Sequence, residues 1–102
     1  MKQVIVRYKV KPESAAENEE LVRAVYAELQ ETKPTGLRYA TFKLDDGVGF
    51  VHFSSHDTED GQNPLSTLPA FKRFQEGIDE RCEESPVVTT IREIDSYRFF
   101  GE

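Results

Sequence analysis

The sequence predicts an α+β fold in the order βαββαβ: a four-stranded antiparallel sheet with two helices on one face, the ferredoxin-like arrangement. Three observations carry this. Four stretches alternate or run apolar as strands do, and two others repeat at helical spacing. An Asp45-Asp46-Gly47 turn joins the second and third strand stretches, since Asp-Gly tolerates the positive φ of a hairpin turn. The third stretch, Val48–Phe53, is apolar on both parities, as a strand is when something packs on each side of its sheet.

Residues 3–10, QVIVRYKV, read as the first strand. Val4, Val6, Tyr8 and Val10 share one face, and Gln3, Ile5, Arg7 and Lys9 the other. Pro12 ends the run because proline lacks the donor a ladder needs. Residues 14–32 read as a helix opened by a Ser14/Glu17 capping box. Glu13, Glu17, Glu19 and Glu20 crowd its first turns, where the dipole favours negative charge. Val22, Val25, Tyr26 and Leu29 form its buried stripe, with Leu21 on the flank. Lys33-Pro34-Thr35-Gly36 stops it.

The second strand is 37–44 and the third 48–55, antiparallel across the Asp-Gly turn. Residues 56–65 are polar and turn-rich and read as a loop. A second helix is expected over 66–83, with Ser66 as cap, Pro69 in the first turn, and Leu68, Phe71, Phe74, Ile78 and Cys82 as its apolar stripe. Gly77 weakens that helix by roughly 1 kcal/mol relative to Ala. The last strand is 87–94, followed by an aromatic tail, Tyr97-Arg98-Phe99-Phe100.

The 102 residues fit a single domain, 1–102, with one modest core. An apolar share of 37% beside 31% charged residues is ordinary for a soluble chain. A formal net charge of −6 argues against nucleic-acid partners. The single cysteine, Cys82, excludes an intrachain disulfide. No apolar run reaches the ~20 residues of a membrane span, and the N-terminus is no secretory signal, so a cytoplasmic protein with no membrane partner is the default expectation.

Right-handed crossovers return both helices to the same side of the sheet. They roof one face only, yet every strand carries apolar residues on both parities. A bare face of that kind exceeds what soluble monomers usually expose. A second copy laid sheet to sheet is the simplest cover, giving a homodimer through the sheet face. The aromatic tail would then reach across to the partner.

In its βαββαβ order, its two-faced sheet and its strand–loop–helix ending in Leu68-Pro69-Ala70-Phe71, the chain resembles the dimeric α/β-barrel proteins, and among them the antibiotic-biosynthesis-monooxygenase-like group. In that group the strand ends in Glu-x-Trp, a loop reaches an Ala-His, and the helix opens with Ser-Pro-x-Phe. Here there is no tryptophan, Ser54 and His56 stand near the Glu and Trp positions, and Pro64-Leu65 replaces Ala-His. The resemblance implies oxidation of quinols or aromatic polyketides without metal or flavin, and related members degrade haem. It implies a cleft between helices and sheet where an Asn, a Trp and a His or Arg hold the substrate, a set this chain, without tryptophan, does not match residue by residue.

His52, on the parity of Val48 and Phe50, is the candidate acid–base residue, since an imidazole titrates near neutrality. A core imidazole bonded to a neighbour is the plainer account. Asn63 could donate to a substrate oxygen, although Asn-Pro is also a turn former. Candidate ligand contacts are Arg38 and His56, with Tyr26, Tyr39, Phe71 and Phe74 as aromatic lining. Arg7 and Arg38 could hold an anionic oxygen or simply pair with carboxylates. Cys82, after Arg81 at a helix C-terminus, is expected to be inert because the dipole disfavours a thiolate there. The acidic run Asp57-Thr58-Glu59-Asp60 lacks calcium-loop spacing, and no zinc motif is present, so no metal is expected. The expected function is cofactor-independent oxygenation of a small aromatic or quinol-like substrate. The alternative is a non-catalytic homodimer that binds a small apolar ligand or haem.

Overall fold

The alternation read in the first strand is realised in β1 (Lys2–Val10), whose Tyr8 and Val10 are buried while Arg7 is exposed. The computed structural model describes residues 1–58 and 61–99; Glu59 and Asp60 of the acidic run and Phe100 of the tail lie outside them. After β1 come α1 (Ala15–Thr32), β2 (Leu37–Lys43), β3 (Gly49–His56), α2 (Pro69–Gln75), α3 (Ile78–Arg81) and β4 (Cys82–Ile91). The four strands form one antiparallel sheet in the order β2-β3-β1-β4.

Register decides which side chains share a face. Tyr8 lies opposite Phe50, Val6 opposite both His52 and Val88, and Thr41 opposite His52. These residues all face the helices. Arg7, Val51, Val87 and Phe42 face the other way by the same register. The Asp-Gly hairpin forms as expected: Gly47 adopts φ 79°, and Asp46 Oδ1 accepts from the N–H groups of Val48 and Gly49. Those two donors, Gly49 first, hold the Asp46 carboxyl below its usual range.

Three local expectations are corrected. The Ser14/Glu17 box does not form. A 3₁₀ turn over Pro12–Ser14 precedes α1 and sets Ser14 at φ −101°, ψ −1°, away from the extended conformation that a capping side chain needs, and it makes no capping bond.

The helix expected over 66–83 is two helices. Gly77 takes a left-handed φ of 72°, and α2 ends before it. Ser66 lies in a 3₁₀ turn, Pro64–Thr67, rather than at a cap. The amide of Ala70 in the first turn of α2 is instead taken by Glu28 of α1.

The third correction follows from the second. The chain turns into β4 at Cys82, so the strand runs 82–91 rather than 87–94, and Ile94 is fully exposed. Cys82 caps the C-terminus of the short α3 and opens β4, and burial is the main cause that pushes its thiol up.

The core lies between α1, α2 and the sheet. It is built on Phe50, Val10, Val22, Val25, Leu65, Leu68 and Phe74. On the open face Phe42 of β2 is 50% and Val87 of β4 61% exposed. Phe99 of the tail packs edge-on against Phe53 of its own subunit, ring centroids 6.3 Å apart. Among the described residues no helix is long and apolar enough to cross a membrane.

Candidate active site between helices and sheet

The roofed face is not filled. A cavity of about 360 Å³ lies between the sheet and the α2–α3 segment. Its walls are mostly apolar: Val4 and Val6 from β1, Leu65 before α2, Phe71 and Phe74 on α2, and Ile78 on α3. Its polar groups are Tyr8, Tyr39, His52, Ser54, Asn63 and Gln75. None of the lining residues carries a carboxylate, ammonium or guanidinium.

His52 is the centre of a buried polar network. It is only 4% exposed, and both ring nitrogens are engaged. Nε2 lies 2.8 Å from the Tyr8 hydroxyl. Nδ1 lies 2.7 Å from the Tyr39 hydroxyl and 3.1 Å from Thr41 Oγ1. Phe74 and Tyr8 flank its ring at 5.3 Å each. Burial disfavours the imidazolium and drives the pKa down to about 4, so His52 is neutral at physiological pH. Burial likewise pushes the Tyr8 and Tyr39 hydroxyls well above the ordinary tyrosine range.

The network runs further behind Tyr8. Asn18 Nδ2 donates to the Tyr8 hydroxyl at 2.9 Å, and Asn18 Oδ1 accepts from Arg81 Nε at 3.2 Å. Arg81 is 6% exposed. Its two terminal nitrogens donate to the carbonyls of Phe74 (2.7 Å) and Glu76 (3.0 Å), left without helical partners where α2 ends. Its guanidinium lies 5.5 Å from the Phe74 ring centre. Among the described residues no carboxylate forms an ion pair with it. The C-terminal dipole of α2 and the oxygen of Asn18 are its compensation.

The structure brings together His52, Asn63, Phe71, Phe74 and Tyr39 from the sequence candidates. Asn63 Oδ1 accepts from Leu65 N–H and so also caps the 3₁₀ turn. Tyr26 stands behind the cavity rather than in it, stacked on Tyr39 at 5.2 Å and bonded to Thr41 Oγ1 at 2.8 Å. Arg38 lies on the opposite face of the sheet, beside Phe53 and Ser55. His56 ends β3, paired with Lys2 and Leu37, away from the cavity lining. Among the described residues no cluster of His, Cys, Asp and Glu could hold a metal.

Sequence reasoning missed Tyr8, Asn18, Thr41 and Arg81. Asn18 carried a readable signal. It lies four residues before Val22 and seven before Val25, so it extends the buried stripe with a polar side chain that must find partners.

No protein-family profile and no curated protein matches the sequence. Solved structures do match. Rv0793 from Mycobacterium tuberculosis superposes with TM-score 0.74 at 19% identity, over 93% of this chain and 96% of that one. A protein described as an antibiotic biosynthesis monooxygenase gives 0.71 at 18%, over 93% and 100%. A Nitrosomonas europaea protein, provisionally described in the same words, gives 0.76 at 16%, over 93% and 100%. At these identities the likeness is one of fold. The chain has the ferredoxin-like fold of the antibiotic-biosynthesis-monooxygenase-like group.

Proposed function

We propose that the protein is a monooxygenase-type enzyme that oxygenates a small, uncharged hydroxyaromatic of quinol type with no cofactor, and that it works as a homodimer. The observation that carries the reading is the cavity itself. An apolar slot of about 360 Å³ suits one flat ring system, and two of its polar groups, the Tyr8 and Tyr39 hydroxyls, meet at His52. The absence of a charged residue from its lining favours a neutral ligand over a carboxylate or phosphate.

In the reaction proposed, a ring C–H of the phenolic substrate becomes a carbonyl. One atom of O₂ enters the substrate, and the other leaves as water with the two hydrogens lost. The substrate supplies the electrons. The protein's part is orientation, and stabilisation by fixed donors of the oxyanion formed when the phenol gives its proton to solvent water. His52, with both nitrogens bonded and its ring neutral down to about pH 4, acts through the tyrosine hydroxyls rather than as the base itself. Asn63 also lines the slot and is a second polar anchor.

The homodimer pairs the open sheet faces about a two-fold axis. Its support is the apolar surface left by Phe42, Val51, Phe53, Val87 and Ile91.

One observation favours a second reading, a non-catalytic carrier of a small apolar ligand: the His52 network is satisfied within the chain, and no buried side-chain polar atom among the described residues lacks a partner. The haem version of that reading finds no open imidazole in the cleft, because both nitrogens of His52 are taken.

An oxygen electrode over a panel of hydroquinones and anthrones separates the readings. Uptake of one O₂ per substrate, reduced at least tenfold in His52→Ala, is expected. A panel without uptake refutes the oxygenase, and a small molecule found by mass spectrometry of the purified protein would then favour the carrier.

A further inference from the structure

We infer that the buried chain from Arg81 through Asn18, Tyr8 and His52 runs all its donors one way, and that Tyr39 is therefore the hydrogen-bond donor the cleft offers to an acceptor oxygen, of quinone or phenolate type, on its ligand. The inference rests on the cleft being a ligand site, but not on turnover.

The direction follows from the one group whose role is not open to choice. A guanidinium only donates. Arg81 Nε therefore gives its hydrogen to Asn18, which must present its oxygen there and its amide nitrogen to Tyr8. The Tyr8 oxygen accepts from Asn18, and in the direction inferred its own proton goes to His52 Nε2. Nε2 is then the acceptor, and the ring proton resides on Nδ1. Of the two oxygens facing Nδ1, the Tyr39 hydroxyl is nearer, at 2.7 Å against 3.1 Å for Thr41. Tyr39 accepts from Nδ1–H, and its own proton remains to be given.

The second thread agrees. With Tyr26 O–H as the donor to Thr41 Oγ1, the Thr41 proton is left for the Tyr39 oxygen. With its oxygen served from both sides, Tyr39 directs its O–H toward the cavity it lines. Bonds aligned in this way polarise one another. The chain starts from a buried cation that no carboxylate among the described residues neutralises through an ion pair, so its polarity favours negative charge at the Tyr39 end. Asn18 and Arg81 are positioning residues here, since neither lines the cavity.

Nitrogen-resolved NMR of His52 in the intact protein tests the direction. The expected result is a neutral ring protonated on Nδ1. A proton on Nε2 overturns the inference outright, because every donor beyond it would then be reversed. Asn18→Leu cuts the link to Arg81 and is expected to raise the Nε2–H population. Should it fail to fold, Tyr8→Phe removes the donor to Nε2 and carries the same expectation. An unchanged tautomer in a folded variant counts against the relay.

Titration with 1,4-naphthoquinone, which has only acceptor oxygens, and with naphthalene tests the ligand end. Tyr39→Phe is expected to weaken the quinone roughly tenfold, the worth of one hydrogen bond, and to leave naphthalene unchanged. Equal effects on both, or a wild type that binds no quinone, overturn the ligand half even if a phenol is oxygenated. Tyr39-dependent quinone binding with no oxygen uptake on any substrate sustains this inference and retires the oxygenase.

Discussion

The two faces of β3 differ in how they are finished. Toward the helices the strand presents Phe50, His52 and Ser54, all buried, and both ring nitrogens of His52 have partners. On the other side it presents Val51 and Phe53, partly exposed, between strands whose Phe42 and Val87 are at least half in water. The same eight residues serve a completed interior and an uncovered one. A folded interior can hold a polar network because the chain itself fixes every partner. An apolar surface with side chains as exposed as Phe42 and Val87 is the kind on which association acts.

The largest effect should come from reversing that contrast. Val87→Glu puts a charge on the open face without touching the core, since Val87 is already exposed within the subunit. Sedimentation equilibrium should show the wild type as a dimer and the variant as a monomer with an unchanged circular dichroism spectrum. A wild type that sediments as a monomer at micromolar concentration would remove the association from the proposal.

On the roofed face the corresponding change is one of stability. Phe74 is 6% exposed and its ring meets Tyr8, His52 and Phe71, with Arg81 against it. Phe74→Ala should cost about 3–5 kcal/mol in urea unfolding. A loss under 1 kcal/mol would mean that the cavity beside it already lets the site collapse cheaply.

Next in size is a pH effect confined to His52. Its folded pKa of about 4 lies below the 6.5 of a free imidazole, so the unfolded chain binds the extra proton first. This contribution is fully present above about pH 6.5 and is lost as pH falls toward 4, with an order of magnitude of 2–3 kcal/mol. Glu19, held low by Lys43 and Arg23, and Asp46, held low by its backbone donors, stay charged through most of that window. The urea midpoint should therefore drop between pH 7 and 4.5 in the wild type and drop much less in His52→Gln. Equal slopes would place His52 in contact with water.

How much of this was legible depended on whether a residue's partner lay nearby in sequence. Strand parity and helix stripes are local, so the four-stranded sheet and its helices could be read directly, whereas the face that His52 presents could not, because both parities of its strand are apolar. Phe71, Phe74 and Asn63 followed because one loop and one helix carry them over His52. Arg38 was misjudged as a cleft residue because parity shows only that it opposes Tyr39, not which of the two faces holds the cavity. The partners of His52 lie on three other elements, 44 residues away for Tyr8 and 11 for Thr41, and pairing across the sheet is set by register, which no local pattern carries. Arg81 was invisible for a different reason. Its burial depends on the break at Gly77, which turns α3 back onto the end of α2.

That break gives the smallest prediction and bears most on the comparison. Periodicity alone reads 66–83 as one helix, with the glycine as a mild defect. In the fold, Gly77 sits at φ 72°, ψ 9°, where an L side chain costs on the order of 1 kcal/mol or slightly more. An added Cβ would meet the end of Glu80, a flexible side chain, at 3.2 Å and Arg81 Nη1 at an ordinary 3.9 Å, so backbone conformation and not crowding should set the cost. Gly77→Ala should lower Tm by roughly 4–8 °C for each kcal/mol lost. It should also loosen the Arg81 bonds to the Phe74 and Glu76 carbonyls, because their geometry depends on the turn. If Gly77→Ala instead raises Tm, alanine is favouring a continuous helix, and the finished face owes its Arg81 anchor to packing rather than to the glycine.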